Sequence, residues 1–153
     1  MASNHVFFAP TLAIFDSGWE GTPEPWIQLR GWYRELACLA HREGVPLLAG
    51  TDVARKTGAI QPGIGLHREL EELVSIGLTP AEALRAGTLS PAIAFCREDS
   101  LGSIEPGKIA DLVLLEGNPL KDIKQTRAIE AVILRGRLLD RRQLSELRGA
   151  SDK

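Results

Sequence analysis

The chain has 153 residues, of which 44% are hydrophobic, with 18 basic and 20 acidic side chains and a formal net charge of −2. This is the length of one ordinary domain, and the apolar fraction suffices for a packed core, which excludes a disordered tail. The balanced charge excludes a dedicated nucleic-acid binder, and no apolar run approaches the ~20 residues that cross a membrane, so neither nucleic acid nor a membrane is an expected partner. The two cysteines and the lack of a secretory pattern lead us to expect a cytoplasmic protein.

The first third of the chain predicts a strand, a helix and a second strand. Residues 5–9 form an apolar run that Pro10 stops, and the Gly-, Pro- and acid-rich residues 16–25 predict a loop. Residues 45–49 form a second apolar run, which leads into the polar Gly50-Thr51-Asp52. The helix between them has one apolar stripe at helical spacing and Gly44 as its stop; the stripe consists of Trp26, Leu29, Tyr33, Leu36 and Ala40. This succession predicts an α/β unit.

The middle of the chain predicts a loop and further helices. Residues 53–65 contain the glycines and the proline of a loop, and the next helix ends at Gly77. Its apolar positions are Leu66, Leu70, Leu73 and Val74, and we interpret Glu69, Glu71 and Glu72 as a solvated helix face. Thr79-Pro80-Ala81-Glu82 has the N-cap, the N1 proline and the N3 acid of a capping box, so it predicts the start of a short helix.

After Cys96 the pattern changes to short strands. Residues 110–115 and 131–134 predict strands, and Arg135-Gly136 predicts a tight turn into a third strand at 137–139. Residues 140–147 predict a terminal helix. We therefore divide the chain into an α/β part over residues 1–98, a mostly β part over 99–148 and a frayed tail over 149–153.

Taken in order, these motifs resemble the C-terminal portion of a metal-dependent amidohydrolase. The resemblance is closest to the branch with imidazolonepropionase-like and prolidase-like enzymes, and it extends from about residue 5 to residue 147. The motifs that carry it are Gly50-Thr51-Asp52, Leu66-His67-Arg68-Glu69-Leu70, Gly77-Leu78-Thr79-Pro80-Ala81-Glu82-Ala83-Leu84, the string from Gly102 to Val113, and Ala131-Val132-Ile133-Leu134-Arg135-Gly136-Arg137.

The resemblance implies a fold of the α/β class. Family members have a (β/α)₈ TIM-type barrel with a small β-sandwich, and the active site lies at the carboxyl ends of the barrel strands. By this resemblance the chain is a C-terminal fragment that holds the last two βα units and part of the β-sandwich composite domain. Residues 45–49 correspond to strand eight, and Pro10-Thr11-Leu12 to the end of strand seven. A whole barrel takes ~250 residues, so we expect the chain to be incomplete.

The resemblance also implies a site and a reaction. Asp52 matches the strand-eight aspartate, which is both a catalytic residue and a metal ligand in the family. The implied cofactor is a divalent metal, zinc by the family pattern, and the implied reaction is hydrolysis of a C–N bond in a small amide, cyclic amide or dipeptide-type substrate by metal-activated water. No His-x-His pair occurs in the chain. One carboxylate does not hold zinc, which takes three or four protein ligands, so we expect this chain alone to be inactive and not to bind the metal stoichiometrically.

Alternative interpretations stay open for the site residues and for the function. Asp52 could cap the turn after a strand. His67 could contact substrate at the mouth of the barrel, or it could be an ordinary residue of the first helical turn. The alternative function is a non-catalytic module that folds by association with a partner or with itself, because open sheet edges pair with other chains. We therefore expect a homo-oligomer or a partner that supplies the missing N-terminal portion.

Overall fold

The computed structural model describes residues 6–16, 24–52 and 63–151. Residues 17–23 and 53–62 of the two predicted loops, and residue 5 of the predicted first strand, lie outside the described residues. The helices are α1 (Glu24–Arg42), α2 (Ile64–Ser75), α3 (Pro80–Gly87), α4 (Leu89–Ala94) and α5 (Arg141–Ser151), the strands are β1 (Leu112–Leu115), β2 (Ile129–Leu134) and β3 (Arg137–Leu139), and two short 3₁₀ segments cover Leu12–Asp16 and Ile123–Arg127.

The two predicted strands of the first third lie side by side and parallel. Phe8 and Leu47 form a parallel bridge, in which the Phe8 N–H donates to the Pro46 carbonyl at 3.1 Å and the Leu48 N–H donates to the Phe8 carbonyl at 2.9 Å. The pairing is one bridge and not a pair of continuous strands. Since α1 connects the two segments, the arrangement is a short version of the predicted strand–helix–strand unit.

The apolar residues of α1 do not all face the core. Ala37 is fully buried, whereas Leu29 and Leu36 are 39% and 51% exposed. Tyr33 packs on Phe15, with ring centroids 5.1 Å apart. The predicted helix is confirmed, but its apolar stripe is only partly buried: Leu29 and Leu36, which lie on the same side of the helix as Tyr33, remain exposed.

Local chemistry fixes the ends of α2, α3 and α5. Gly77, at φ 115°, follows α2, and such a φ suits a residue without a Cβ. The capping box of α3 is confirmed, because the Thr79 N–H donates to Glu82 Oε2 at 2.8 Å and the Glu82 N–H donates to Thr79 Oγ1 at 3.3 Å. At α5 the Gln143 N–H donates to the Asp140 carboxylate at 2.8 Å, and the helix continues through Ser151 into the segment that we expected to fray.

The C-terminal part contains a three-stranded antiparallel sheet in the order β1-β2-β3. Val113 pairs with Val132, which in turn pairs with Leu139. The predicted tight turn is confirmed: Arg135 and Gly136 have φ of 50° and 80°, the two positive values that a two-residue hairpin of this twist requires.

One core cluster joins elements from both parts of the chain. It contains Leu47, Leu70, Leu73, Leu78, Ala83, Ala86 and Ile123, with Phe8 and Ala49 among the side chains packed against it. In the part of the chain that the structure describes, no helix is both long enough and apolar enough to cross a membrane.

Candidate active site

The carboxyl ends of the two parallel segments meet at one edge. A Cβ built on Gly50 would lie 3.4 Å from the Ala9 Cβ and 3.7 Å from the Thr11 Cγ2. The backbone around residue 50 therefore touches the end of the first segment. Because Asp52 follows two residues later, the structure places its backbone at this shared edge.

Both segments end in a residue with left-handed backbone geometry. Thr11 has φ 50° and Asp52 has φ 52°. A β-branched residue in this region is strained, whereas aspartate enters it more readily. Strained backbone of this kind concentrates at functional sites, where the surrounding structure holds it in place. The exposed Asp52 is thus a carboxylate at the edge where two parallel segments end.

Glu69, on α2, is a buried carboxylate that contacts the segment that follows Thr11. Its side chain is 0% exposed, and its Oε2 accepts the Ala13 N–H at 2.7 Å. Burial raises the pKa of Glu69 to about 7, although the backbone N–H donors of Ala13 and Leu12 act in the opposite direction. Its Oε1 is also buried and has no hydrogen-bond partner among the described residues. Glu69 therefore joins α2 to the 12–16 segment that follows the strained Thr11.

The prediction of a solvated glutamate face on α2 is wrong. Glu69 and Glu72 are 0% and 5% exposed. Glu72 forms ion pairs with side chains of α1 and α2, namely with Arg34, with Arg30 at 3.3 Å and with Arg68 at 3.7 Å. A sequence pattern could have revealed Glu69, because positions 66, 69, 70 and 73 are the i, i+3, i+4, i+7 set of a single helix face.

His67 contacts the C-terminal part of the chain. Its Nδ1 lies 3.1 Å from Thr126 Oγ1, and that hydroxyl donates to the Ile123 carbonyl at 2.9 Å. Since the hydroxyl hydrogen is used there, the Thr126 oxygen accepts a hydrogen bond from the Nδ1–H of His67. Desolvation, followed by the positive charge of Arg127, lowers the pKa of His67, and the carboxylate of Glu71 acts in the opposite direction. The described hydrogen bond thus connects His67 to the 123–127 segment and not to Asp52.

The described residues do not make a metal centre. Across residues 6–16, 24–52 and 63–151, no three His, Cys, Asp or Glu side chains lie close enough together to hold a metal ion. Asp52 supplies one carboxylate, and a zinc site takes at least three protein ligands. A cleft of about 560 Å³ lies between β2 and α5, and Asp52 is not among the residues that line it.

Comparison with known proteins gives the class of this fold. The imidazolonepropionase of Geobacillus kaustophilus is 40% identical over 76 residues, which are 46% of this chain and 16% of that protein. The ochratoxinase of Aspergillus niger is 36% identical over 95 residues, which are 61% of this chain and 18% of that protein. A crystal structure of an Xaa-Pro dipeptidase with methionine bound in its active site superposes on 88% of this chain and 34% of its own, with a TM-score of 0.71 and 25% identity. These likenesses define an amidohydrolase-like α/β fold.

A match to a family model extends over most of the chain. Residues 34–139 match the model described as the amidohydrolase family. The chain belongs to the amidohydrolase family. It spans less than a fifth of the imidazolonepropionase and the ochratoxinase, at 16% and 18% of their lengths.

Proposed function

We propose that this chain contributes Asp52 to an active site that hydrolyses a C–N bond in a small amide, cyclic amide or dipeptide-type substrate. The observation that supports the proposal most directly is the shared edge, where the carboxyl ends of two parallel segments meet and Asp52 is exposed. Active sites of parallel α/β folds lie at the carboxyl ends of the strands. Membership of the amidohydrolase family supports the reaction class.

In this proposal Asp52 moves the proton of the reaction. Its carboxylate accepts a proton from the attacking water as the water oxygen bonds to the substrate carbonyl carbon. The same carboxyl group then returns the proton to the nitrogen as the C–N bond breaks, so that an acid and an amine leave. The positive φ of Asp52 sets the direction in which its Cα–Cβ bond leaves the backbone.

The proposed metal site needs ligands from outside the described residues. In the family, the strand-eight aspartate also binds a divalent metal, zinc by the resemblance, and the described residues do not complete such a site. We therefore propose that the chain alone neither retains zinc nor hydrolyses amides, and that the remaining ligands come from a further segment or chain.

The test compares the chain alone with the chain supplied with such a segment. We expect the purified chain to carry no stoichiometric zinc and to release no amine from Xaa-Pro dipeptides or N-acyl amino acids. It is then co-expressed with a separate polypeptide that holds the part of the Xaa-Pro dipeptidase not covered by this chain. We expect amine release and zinc retention in that complex, and a loss of rate of ~10²-fold or more in Asp52→Asn.

The matched control is Asp99→Asn, since Asp99 is an exposed aspartate in a different turn. It removes the same charge and is expected to leave the rate unchanged. An active complex whose rate survives Asp52→Asn would contradict the role of Asp52. Stoichiometric zinc on the chain alone would contradict the proposed need for further ligands.

The second candidate function, a module that acts by association, is favoured by the exposed apolar residues of α1. Trp32 is 75% exposed and Leu36 is 51% exposed. Exposed apolar patches mark surfaces that bind another protein.

A further inference from the structure

Glu69 is buried at a position where an apolar side chain would be expected. It lies on the same face of α2 as Leu70 and Leu73, which are 5% and 0% exposed, and it is itself 0% exposed. Its Oε1 is buried and has no hydrogen-bond partner among the described residues. A buried polar atom without a partner costs free energy that a leucine at this position would not cost. What distinguishes Glu69 from a core side chain is therefore the bond that its other oxygen makes.

That other oxygen caps the short 3₁₀ segment that follows Thr11. Glu69 Oε2 accepts the Ala13 N–H at 2.7 Å, and the Leu12 N–H also acts on this carboxyl group. These are the first two N–H groups of the segment Leu12–Asp16, which a helix leaves without an internal partner. Leu12 and Ala13 are both 0% exposed, so bulk water does not supply an acceptor. Glu69 thus does from α2 what a local cap residue ordinarily does.

The residue in the local cap position is Thr11, and its backbone has a different geometry. A cap residue ordinarily has extended backbone, from which its own side chain reaches the N–H groups two or three residues later. Thr11 instead has φ 50°, where a β-branched residue is strained. Its Cγ2 lies 3.7 Å from the position of a Cβ built on Gly50, at the edge that Asp52 follows. Because Glu69 supplies the cap, the backbone of Thr11 can turn the chain at this edge.

We propose that Glu69 is a positioning residue of the active site, which holds the 12–16 segment from α2 and so keeps Thr11 in left-handed geometry at the edge that carries Asp52. The inference rests on the proposed function, because that function brings the substrate to this edge. Glu69 acts through the segment and does not touch the substrate. Without its hydrogen bond, Thr11 should relax to a negative φ and change the shape of the site while the Asp52 carboxylate stays intact. Substrate binding should therefore weaken more than the chemical step.

The first experiment measures the backbone of Thr11 in the chain alone by NMR. The one-bond coupling between Hα and Cα is smaller at positive φ than at negative φ, so it reports the geometry of Thr11. Glu69→Met is unbranched and lacks an acceptor, so we expect it to raise this coupling to that of ordinary residues. Glu69→Gln keeps an acceptor and is expected to leave the coupling low. The matched control is Glu72→Met, which should also leave it low, because Glu72 is a second buried carboxylate of α2 that pairs with arginines.

The second experiment measures hydrolysis by the complex with the dipeptidase segment. We expect Glu69→Met to raise KM about tenfold with kcat nearly unchanged, which is the pattern of a lost contribution to binding. Glu69→Gln should keep the KM of the unmodified complex. A substitution that only destabilises the fold would reduce the amount of active complex, which lowers the apparent kcat and leaves KM as it was. Glu72→Met is expected to show no effect beyond this second pattern.

Two results would overturn the proposal. One is a low Thr11 coupling in folded Glu69→Met, because the geometry of Thr11 then does not depend on Glu69. The other is an active complex in which Glu69→Met leaves KM unchanged. A complex of the unmodified chain that hydrolyses nothing would contradict the proposed function instead. The Thr11 coupling still decides the inference in that case, since it needs no substrate.

A titration of the unmodified chain covers the case in which Glu69→Met does not fold. The Ala13 amide proton bonds the carboxyl oxygen directly, and an ionised carboxylate is the stronger acceptor. We expect this proton to shift downfield as the pH passes about 7, with the same midpoint as the side-chain carboxyl carbon of Glu69. An Ala13 amide proton that does not follow the carboxyl carbon would show that Glu69 does not hold the segment, and would overturn the proposal.

Discussion

At the scale of single residues, Glu69 should make the stability of the chain depend on pH. Its folded pKa is raised from 4.5 to about 7, so the folded chain favours the neutral acid. The stabilisation by this group is complete below pH 4.5 and is lost as the pH rises through about 7. A shift of this size corresponds to about 3 kcal/mol. Glu69→Gln keeps an acceptor for the Ala13 N–H without the charge, so its free energy of unfolding, relative to the unmodified chain, should increase from pH 5 to pH 9.

Urea unfolding at pH 5, 7 and 9 measures this difference. Glu98→Gln serves as the control, because Glu98 is exposed and its substitution should give the same offset at each pH. Parallel pH profiles for the unmodified chain and Glu69→Gln would exclude a buried carboxyl with a raised pKa at this position.

The same residue shows what sequence patterns miss at this scale. Three glutamates within four positions resemble a solvated face, and hydropathy alone does not separate Glu69, which is buried, from Glu71, which pairs with Arg127 at 2.7 Å. The helical spacing with Leu70 and Leu73 does separate them, but it does not reveal the partner of Glu69, the Ala13 N–H, which is 56 residues away. Asp52 differs, because its position after an apolar run and the family motif both pointed to the edge, while its catalytic role stays a prediction.

At the scale of elements, Gly102 and Gly107 should separate backbone strain from steric overlap. Both have φ +91°, so a Cβ strains the backbone at either position, at a cost of about 1–2 kcal/mol. At Gly102 that Cβ would also lie 2.7 Å from the Ala92 Cβ and 2.9 Å from the Leu89 Cα of α4, whereas at Gly107 it meets nothing within 4 Å. Overpacking adds about 1–3 kcal/mol. We expect Gly102→Ala to destabilise the chain by more than Gly107→Ala, as measured by urea unfolding.

A larger loss of stability in Gly102→Ala than in Gly107→Ala would assign the additional loss to the overlap with α4, since both substitutions strain the backbone alike. Equal losses in the two variants would mean that the chain moves away from α4 at little cost. The far-UV circular dichroism of both variants in the absence of denaturant shows whether each still folds before the comparison is made.

Elements with local causes were predictable from the sequence. The capping box at Thr79 and Glu82 and the turn at Arg135-Gly136 each depend on residues within three positions of one another, and both are confirmed. The extent of strand pairing between Phe8 and Leu47 was not predictable, because a single bridge and a full strand pair share the same apolar pattern. A count of apolar residues also could not show which side of α1 packs inward, since an apolar side chain can lie either in the core or on the surface.

At the scale of the whole molecule, the two parts of the chain are joined through α2. The Arg127 Nε donates to Glu71 Oε1 at 2.7 Å, and His67 bonds Thr126 at 3.1 Å. Ile123, from the mostly β part, is 5% exposed and belongs to the same core cluster as Leu70 and Leu73. These contacts span 50 residues of sequence or more, so no local pattern could have predicted them.

The shared core predicts that both parts unfold together. All three tryptophans lie between residues 19 and 32, so their fluorescence reports on the first part alone, whereas far-UV circular dichroism reports on both. Ile123→Ala removes core volume from the second part and should cost about 2–5 kcal/mol. Because the core is common, the fluorescence midpoint in urea should fall together with the circular dichroism midpoint.

Ile104→Ala is the control, since Ile104 is 84% exposed and its substitution should leave both midpoints unchanged. If Ile123→Ala lowered only the circular dichroism midpoint, the two parts would unfold separately and the contacts of α2 would not couple them.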